Sequence, residues 1–347
     1  MRDIKIGKYT IGELSKPFVI AEMSGNHNQS LERGMAIIEA AAAAGAHAVK
    51  LQTYTPDTMT LKGVITIEDK NSLWYGRELH DLYKEAYTPW EWHKPLFYKA
   101  KSLGLEIFST PFDETAVDFL EELGVSVYKI ASFENTDWPL LKKVAQTQKP
   151  VIMSTGAASI ADISQAVQVL RENGCEDLVL LKCTSTYPAT PENTNLLTIP
   201  HMRDLYGCQV GLSDHTMGIG AAIAAVALGA CLVEKHFTLK RSDGGVDSAF
   251  SMEPHELKLL VEESERAFLA LGKIQYGVQK SEQKSLVFKR SIYVAEDIKE
   301  GEVFTKENIR VIRPGFGLPS KYYEMILGKT AKQTLKRGTA LNFDHLL

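Results

Sequence analysis

Charged and hydroxyl-bearing residues recur within short apolar runs in the first 280 residues of this 347-residue chain. Lys50 and Lys129 lie inside two of these runs. Glu22 and Glu234 lie near the ends of two others. Lysine and glutamate are rarely buried without partners, so their recurrence at equivalent positions predicts one shared site. Lysines and hydroxyls together suit a small anion that carries phosphate and carboxylate groups. Hydroxyl residues end or follow several of these runs, and they include Ser109, Thr110, Ser132, Ser154, Thr155, Thr184, Ser185 and Ser213.

Two histidines, His215 and His236, follow neighbouring apolar runs and are the candidate metal ligands. Two imidazoles completed by carboxylate or water oxygens suit a divalent cation, here Mn²⁺ or Mg²⁺. The four cysteines form no CxxC pair, which argues against a structural zinc site. Plainer alternatives remain: a single serine or threonine at a strand end can cap the next helix, and a lone histidine there can be an ordinary hydrogen-bonded residue.

The elements that must position these residues follow the alternating pattern of a parallel α/β fold. Eight runs are predicted as strands: Phe18–Met23, Ala48–Thr53, Glu106–Ser109, Ser126–Ala131, Val151–Ser154, Leu178–Cys183, Gln209–Leu212 and Cys231–Lys235. The predicted helices are Leu31–Ala44, Pro89–Leu103, Glu114–Leu123, Trp138–Thr147, Ile160–Glu172, Gly218–Leu228 and Pro254–Leu271. Eight such units in roughly 270 residues favour a closed (β/α)₈ TIM barrel over a doubly wound open sheet.

Residues 1–280 are therefore predicted as the barrel, 281–289 as a linker and 290–347 as a small β-rich domain. In that domain Ser291–Ala295 is predicted as a strand. Lys306–Ile309 is predicted as a helical turn capped by Thr305. The connection Tyr54–Thr88 is unusually long and rich in polar and aromatic residues, which favours contact with a substrate.

The composition narrows the class of protein. A net charge of −4 gives no reason to expect nucleic acid as a partner. The polar N-terminus does not resemble a signal peptide, and no apolar run is long enough to span a bilayer. Cysteines in apolar runs are expected to be buried and reduced. We therefore expect an intracellular, cytoplasmic protein with no membrane partner.

The motifs at the strand ends resemble the sialic acid synthase family. The matching stretches are IAEMSGNHNQS, VKLQTYTPD, STPFDETAVDFL, YKIAS, STGAAS, LLKCTSTYP, GLSDHT and EKHFTL. The stretch DIKEGEVFTKENIRVIRPGFGL resembles the antifreeze-like SAF domain that ends those enzymes. Within the family the resemblance is closest to members that make pseudaminic acid. Ser185 departs from the asparagine that sialic acid synthases usually carry in a CTxxYP segment, and this departure bears on the sugar.

The resemblance implies a metal-dependent condensation of phosphoenolpyruvate with an amino-sugar aldehyde. It assigns phosphoenolpyruvate to Lys50, Thr110, Lys129, Ser132, Ser154 and Ser213. It assigns the metal to His215 and His236. It gives Glu22 an acid or base role, and it gives Glu234 the stabilisation of a developing cation or the activation of water. The expected sugar contacts are Gln52, Ser185, Tyr187, Asp247 and Arg313.

The resemblance also implies a domain-swapped homodimer, in which Arg313 reaches the barrel of a partner subunit. Alternatives remain at this point. Asp247 could be an ordinary turn aspartate, and Arg313 could be structural. The acceptor could be N-acetylmannosamine or a legionaminate precursor. The barrel could also serve a DAHP-synthase-like condensation, or the chain could be a non-catalytic binding protein.

Overall fold

The computed structural model describes residues 1–70 and 72–347, which form two compact units, residues 1–272 and 273–347. In the first unit, eight parallel strands close into a barrel, because the last strand pairs with the first. After a hairpin of β1 (Ile4–Ile6) and β2 (Tyr9–Ile11), the barrel strands are β3 (Phe18–Glu22), β4 (Ala48–Thr53), β5 (Glu106–Pro111), β6 (Tyr128–Ile130), β7 (Val151–Ser154), β8 (Leu178–Cys183), β9 (Gln209–Asp214) and β10 (Leu232–His236). The predicted TIM barrel is confirmed.

Alternate residues of each strand face the inside of the barrel, as the two-residue period of a strand requires. Phe18, Ile20 and Phe108 belong to the cluster that fills the lower layers of the interior. The hairpin, which the sequence analysis did not predict, adds Ile4 and Ile6 to this cluster. The lower interior is therefore a packed apolar core, and the charged residues Glu22, Lys50, Lys129 and Glu234 lie above it at the C-terminal ends of the strands.

Helices surround the barrel and bury the outward-facing residues of the strands. They are α1 (Leu31–Ala43), α2 (Pro56–Met59), α3 (Leu79–Ala86), α4 (Trp90–Ser102), α5 (Glu114–Glu122), α6 (Trp138–Gln146), α7 (Ile160–Glu172), α8 (Thr198–Tyr206), α9 (Gly220–Ala227) and α10 (Pro254–Leu271). Side-chain caps fix where several of them begin, such as Ser30 before α1 and Asp113 before α5. Helices α2, α3 and α8 were not predicted; they are four, eight and nine residues long, so a helical pattern has little length in which to repeat.

The second unit has its own core around two antiparallel strands, β11 (Ser291–Val294) and β12 (Ile309–Ile312). It also contains a short helix, α11 (Tyr323–Ile326), and residues 280–288 form a 3₁₀ helix. The predicted helical turn Lys306–Ile309 is present as a single turn, since Ile309 N donates to the Thr305 carbonyl at 3.2 Å, although Ile309 also begins β12. Thr305 does cap this turn, since its hydroxyl accepts the backbone N–H groups of Glu307 and Asn308.

Two expectations about the whole chain can be compared with the structure. All four cysteines are free and buried, as expected. Over the described ranges, no helix combines the length and the apolar character needed to cross a bilayer.

Close packing around Gly211, inside the barrel, predicts that a larger residue at this position lowers the free energy of unfolding. A Cβ atom on Gly211 in β9 would lie 2.5 Å from the Leu232 carbonyl oxygen and 2.7 Å from Leu181 Cδ2. We expect Gly211→Ala to lower the free energy of unfolding by about 1–3 kcal/mol, because the strands would have to move apart. Urea unfolding of the full chain measures this. Gly220→Ala, where a Cβ meets nothing within 4 Å, is the matched control and should leave stability unchanged or slightly higher. Equal stability of the two variants would contradict the packing argument.

Candidate active site

Four charged side chains meet in the polar layer at the C-terminal end of the barrel. Lys50 Nζ lies 2.7 Å from Glu22 Oε2 and 3.8 Å from Glu234 Oε2. Lys129 Nζ lies 3.7 Å from Glu234 Oε1. None of the four residues is more than 5% exposed. Removing such charges from water is costly, so their arrangement indicates a function other than stability.

The two carboxyl groups have different environments and different protonation behaviour. Burial raises the pKa of Glu22 to about 7, against the opposing effect of Lys50. Burial acts on Glu234 in the same direction, but Lys129 and Lys50 outweigh it, so the pKa of Glu234 is lowered. A pair of carboxyl groups with separated pKa values can divide the roles of acid and base. Glu22 can hold a proton near neutral pH, whereas Glu234 is ionised.

The predicted hydroxyl residues lie around the lysines. Lys50 Nζ donates to Thr110 Oγ1 at 3.1 Å, and Lys129 Nζ donates to Ser154 Oγ at 2.7 Å. Ser213 Oγ donates to Glu234 Oε1 at 3.0 Å. The layer therefore presents two ammonium groups and several hydroxyls to one small volume, which is the donor set that a phosphate and a carboxylate require.

Ser132 and Ser185 approach each other over a glycine. The backbone N–H of Gly156 donates to Ser132 Oγ at 3.1 Å. A Cβ on Gly156 would lie 2.1 Å from Ser185 Oγ and 2.7 Å from Ser132 Oγ. Only glycine at this position lets both hydroxyls approach the end of β7.

His215 and His236 lie side by side, with ring centroids 5.4 Å apart. His215 Nδ1 is 2.9 Å from the carbonyl oxygen of Thr184, which leaves its Nε2 available as a ligand. The Nδ1 atom of His236 is buried and has no hydrogen-bond partner among the described residues. Burial lowers the pKa of His236 far below its usual value, so the ring is in its neutral, metal-binding form.

These two rings are compatible with a divalent cation. Over residues 1–70 and 72–347, no group of three or more His, Cys, Asp or Glu side chains is arranged to hold one ion. Protein atoms would therefore supply two nitrogen ligands, and substrate or water oxygens would complete the coordination. That ligand set fits Mn²⁺ or Mg²⁺ better than a closed structural zinc site.

Two of the residues predicted for the sugar, Gln52 and Asp247, are linked through Ser24 by hydrogen bonds beside the histidines. Gln52 Nε2 donates to Glu22 Oε1 at 2.9 Å and to Ser24 Oγ at 3.0 Å. Ser24 Oγ in turn donates to Asp247 Oδ2, which lies 3.8 Å from His236 Nδ1. Asp247 is therefore part of the polar layer.

Two further residues assigned to the sugar have different surroundings. The ring of Tyr187 packs on both histidines, with centroids 4.5 Å from His215 and 6.1 Å from His236. Arg313 belongs to the second unit, where it is exposed and follows β12. The contribution of Arg313 to the site stays a prediction.

Two residues of the site escaped the sequence analysis. Glu134 lies beyond β6 in a 3₁₀ turn, and burial raises its pKa to about 7. No periodicity marks a residue in such a turn, so no pattern in the sequence indicated Glu134. Cys183 was interpreted only as a buried thiol, although the alternation of β8 turns it into the barrel, where Sγ lies 4.0 Å from His215 Nδ1. Burial alone would raise the pKa of this thiol, but His215 and the nearby serine hydroxyls lower it to about 6.

A cavity of about 320 Å³ opens onto these groups. It is lined on one side by Ser24, Gln52, Glu134, Tyr187, His236 and Asp247. Glu134 Oε2, Glu234 Oε2 and His236 Nδ1 are all buried and receive no hydrogen bond from any described residue. Folded proteins pair nearly all their buried polar atoms, so several unpaired ones at one place indicate a ligand that completes them.

The raised pKa of Glu134 predicts how stability depends on pH. The folded chain holds this proton up to about pH 7, whereas the unfolded chain loses it near pH 4.5. The contribution of Glu134 to stability is therefore full below pH 4.5 and is lost as pH rises through 7. Glu134→Gln should match the natural protein at pH 4.5 and exceed its free energy of unfolding by about 1–2 kcal/mol at pH 8. Urea unfolding at pH 4.5 and pH 8 measures the two free energies, and the exposed Glu172→Gln is the control. If Glu134→Gln differed from the natural protein by the same free energy of unfolding at both pH values, the prediction would be wrong.

Comparison with known proteins agrees with the fold. Residues 37–276 match the NeuB family, and residues 289–347 match the SAF domain. A pseudaminic acid synthase of Campylobacter jejuni is 43% identical over 97% of this chain and 98% of its own length. One of Helicobacter pylori is 43% identical over 96% of this chain and 98% of its own length. An N,N'-diacetyllegionaminic acid synthase of Campylobacter jejuni is 39% identical over 93% of this chain and 98% of its own length.

A solved structure shares the barrel. The N-acetylneuraminic acid synthetase of Leptospira borgpetersenii superposes with a TM-score of 0.74 at 33% identity, over 82% of this chain and 95% of that one. The family match covers most of the barrel, and the SAF match covers the C-terminal domain. These matches confirm the resemblance found in the motifs, and the chain belongs to the NeuB family.

Proposed function

We propose that the protein is a pseudaminic acid synthase, which condenses phosphoenolpyruvate with 2,4-diacetamido-2,4,6-trideoxy-altrose and releases phosphate. The observation that carries this proposal is the buried set of Lys50, Lys129, Glu22 and Glu234 beside two histidines at the catalytic end of a barrel. The identity to pseudaminic acid synthases supports the choice of sugar. A binding protein has no evident need for two buried carboxyl groups with separated pKa values.

Phosphoenolpyruvate fits the two-lysine end of the site. Lys129 is the better anchor for a new anion, because its nearest carboxylate is 3.7 Å away and burial, together with Lys50, lowers its pKa. An arriving phosphate or carboxylate would satisfy this ammonium group and stabilise its charged form. The hydroxyls of Thr110 and Ser154 accept from the lysines and can then donate to the remaining oxygens of the substrate, whereas Ser213 can do so only by giving up its hydrogen bond to Glu234.

The two carboxyl groups fit the two proton transfers of the reaction. Carbon 3 of phosphoenolpyruvate forms a bond to the aldehyde carbon, and protonated Glu22 can donate to the aldehyde oxygen as it gains charge. Carbon 2 becomes electron-poor, and ionised Glu234 stabilises it and accepts a proton from the water that adds there. The tetrahedral intermediate then breaks its C–O bond, and phosphate leaves with the bridging oxygen.

His215 and His236 would hold the divalent cation, which we propose to be Mn²⁺ or Mg²⁺. Once bound, the cation polarises the aldehyde as a Lewis acid. Tyr187 packs against both rings and restrains their orientation. Asp247 lies within reach of a hydroxyl or amide of the sugar next to His236.

We further propose that the enzyme works in the cytoplasm as a domain-swapped homodimer, with Arg313 of the partner subunit contacting the acetamido group of the sugar. The exposure of Arg313 in its own unit supports this proposal. So does the absence of any hydrogen bond or ion pair from its side chain to another residue in the described part of the chain.

The acceptor and the bond that breaks can be tested together. With phosphoenolpyruvate and Mn²⁺, we expect kcat/KM for the trideoxy-altrose to exceed that for N-acetylmannosamine by about 100-fold. Phosphoenolpyruvate labelled in its bridging oxygen should pass the label to phosphate.

Glu234→Gln should lower kcat by about 100-fold or more, whereas the exposed Glu172→Gln should not. Equal or better turnover of N-acetylmannosamine would refute the pseudaminate assignment.

The metal assignment predicts a loss of binding as well as of activity. Removing metal with a chelator should abolish phosphate release, and adding Mn²⁺ should restore it. His236→Ala should weaken Mn²⁺ binding by about 100-fold, because one of the two protein ligands is removed. Titration calorimetry measures the affinity directly, and the exposed His255→Ala serves as the control. Unchanged Mn²⁺ affinity in His236→Ala would exclude this site.

A further inference from the structure

The cavity at the active site has two chemically different sides. Polar side chains at the ends of the barrel strands line one side, next to His236 and Asp247. The other side comes from the connection between β4 and α4, which the barrel repeat does not require. Its lining residues are Met59, Ile67, Trp74, Leu79, Leu82 and Tyr83. We call these six residues the apolar wall.

The connection is held in place by its own hydrogen bonds. Ile67 N donates to the Arg77 carbonyl at 3.0 Å, and Leu79 N donates to the Ile65 carbonyl at 2.9 Å. The indole N–H of Trp74 donates to the Val246 carbonyl at 3.1 Å, which ties the connection to the loop after β10. The wall is therefore a built surface of the cavity.

The aliphatic part of the wall has almost nothing to offer a hydroxyl group. Ile67, Leu79 and Leu82 carry no polar side-chain atom, and the thioether of Met59 is only a weak acceptor. The single donor of Trp74 is already used by Val246. A sugar hydroxyl placed against these aliphatic side chains, rather than at the hydroxyl of Tyr83, would lose its water and gain no partner there, whereas a methyl group would gain contact.

The orientation of the acceptor follows from the position of the two sides. The aldehyde must reach the histidine side, where its oxygen meets the catalytic groups. The remainder of the open chain then extends away from His236 toward the wall. In the acceptor of the proposed function, that remainder ends in a methyl group at carbon 6 and carries the methyl groups of its acetamido substituents.

We propose that Met59, Ile67, Leu79 and Leu82 of the apolar wall select acceptors that carry a methyl group in place of the terminal hydroxymethyl group. This inference rests on the proposed function, since it concerns the acceptor of that reaction. It assigns the choice between a 6-deoxy sugar and its 6-hydroxy counterpart to the connection between β4 and α4.

The test uses two acceptors that differ only by the oxygen at carbon 6: 2,4-diacetamido-2,4,6-trideoxy-altrose and its 6-hydroxy analogue. With the full-length protein, Mn²⁺ and saturating phosphoenolpyruvate, we expect kcat/KM to favour the deoxy sugar by about 10- to 100-fold. Ile67→Thr and Leu79→Asn place a polar group in the wall at similar size. Each should reduce this ratio at least about 5-fold, mainly through the two sugar KM values, and should leave the KM for phosphoenolpyruvate unchanged.

Leu61→Asn is the matched control, because Leu61 lies in the same connection, is 70% exposed and does not line the cavity. Its acceptor ratio should equal that of the natural protein. Equal use of both sugars by the natural protein would overturn the inference and leave the proposed function intact. So would an unchanged ratio in both wall variants, each shown to be folded by its melting temperature. Absence of phosphate release with every acceptor would instead refute the proposed function, and this inference with it.

Discussion

The exclusion of water from four charged side chains is the constraint on which this structure depends. Lys50, Lys129, Glu22 and Glu234 meet at the upper end of the barrel, where burying an ion costs several kcal/mol. Their mutual ion pairs offset only part of that cost. The apolar core below them and the helices around them supply the remaining stability and hold the strands rigid. The rest of the barrel thus stabilises an arrangement of buried charges that would be unfavourable on its own.

A second buried ion pair shows what a purely structural arrangement looks like. Lys235 and Asp214 face outward from neighbouring strands, between barrel and helices, with Nζ and Oδ2 at 2.8 Å. Lys235 Nζ also donates to the Thr216 carbonyl, and Asp214 Oδ1 accepts from the backbone N–H of Thr216. This pair is satisfied, whereas Glu234 Oε2 on the inner face of the same strand has no hydrogen-bond partner among the described residues. Both groups consist of buried lysines and carboxylates. They differ in whether every buried polar atom has a hydrogen-bond partner, and this difference distinguishes a structural ion pair from a candidate catalytic group.

Much of this site could be predicted from sequence, because the strand period determines which side chains turn inward. All eight strands were predicted, and Lys50, Lys129 and Glu234 follow from their alternation. What could not be predicted depends on contacts between distant segments. The raised pKa of Glu134 comes from burial in a turn, and Cys183 acquires its environment from His215, 32 residues later. Helix α8 and the fold of the long connection left no periodic signal of sufficient length.

The strand ends and the connection between β4 and α4 contribute different kinds of side chain to the cavity. The strand ends hold the charged groups, and these are tied together across the barrel, so any change there alters the reaction itself. The connection between β4 and α4 contributes only one side of the cavity and stabilises itself through its own hydrogen bonds. Its side chains can therefore change without disturbing Lys50 or Glu234. A barrel organised in this way can keep one condensation and accept different sugars, which gives a physical reason for similar chains to make pseudaminic and legionaminic acids.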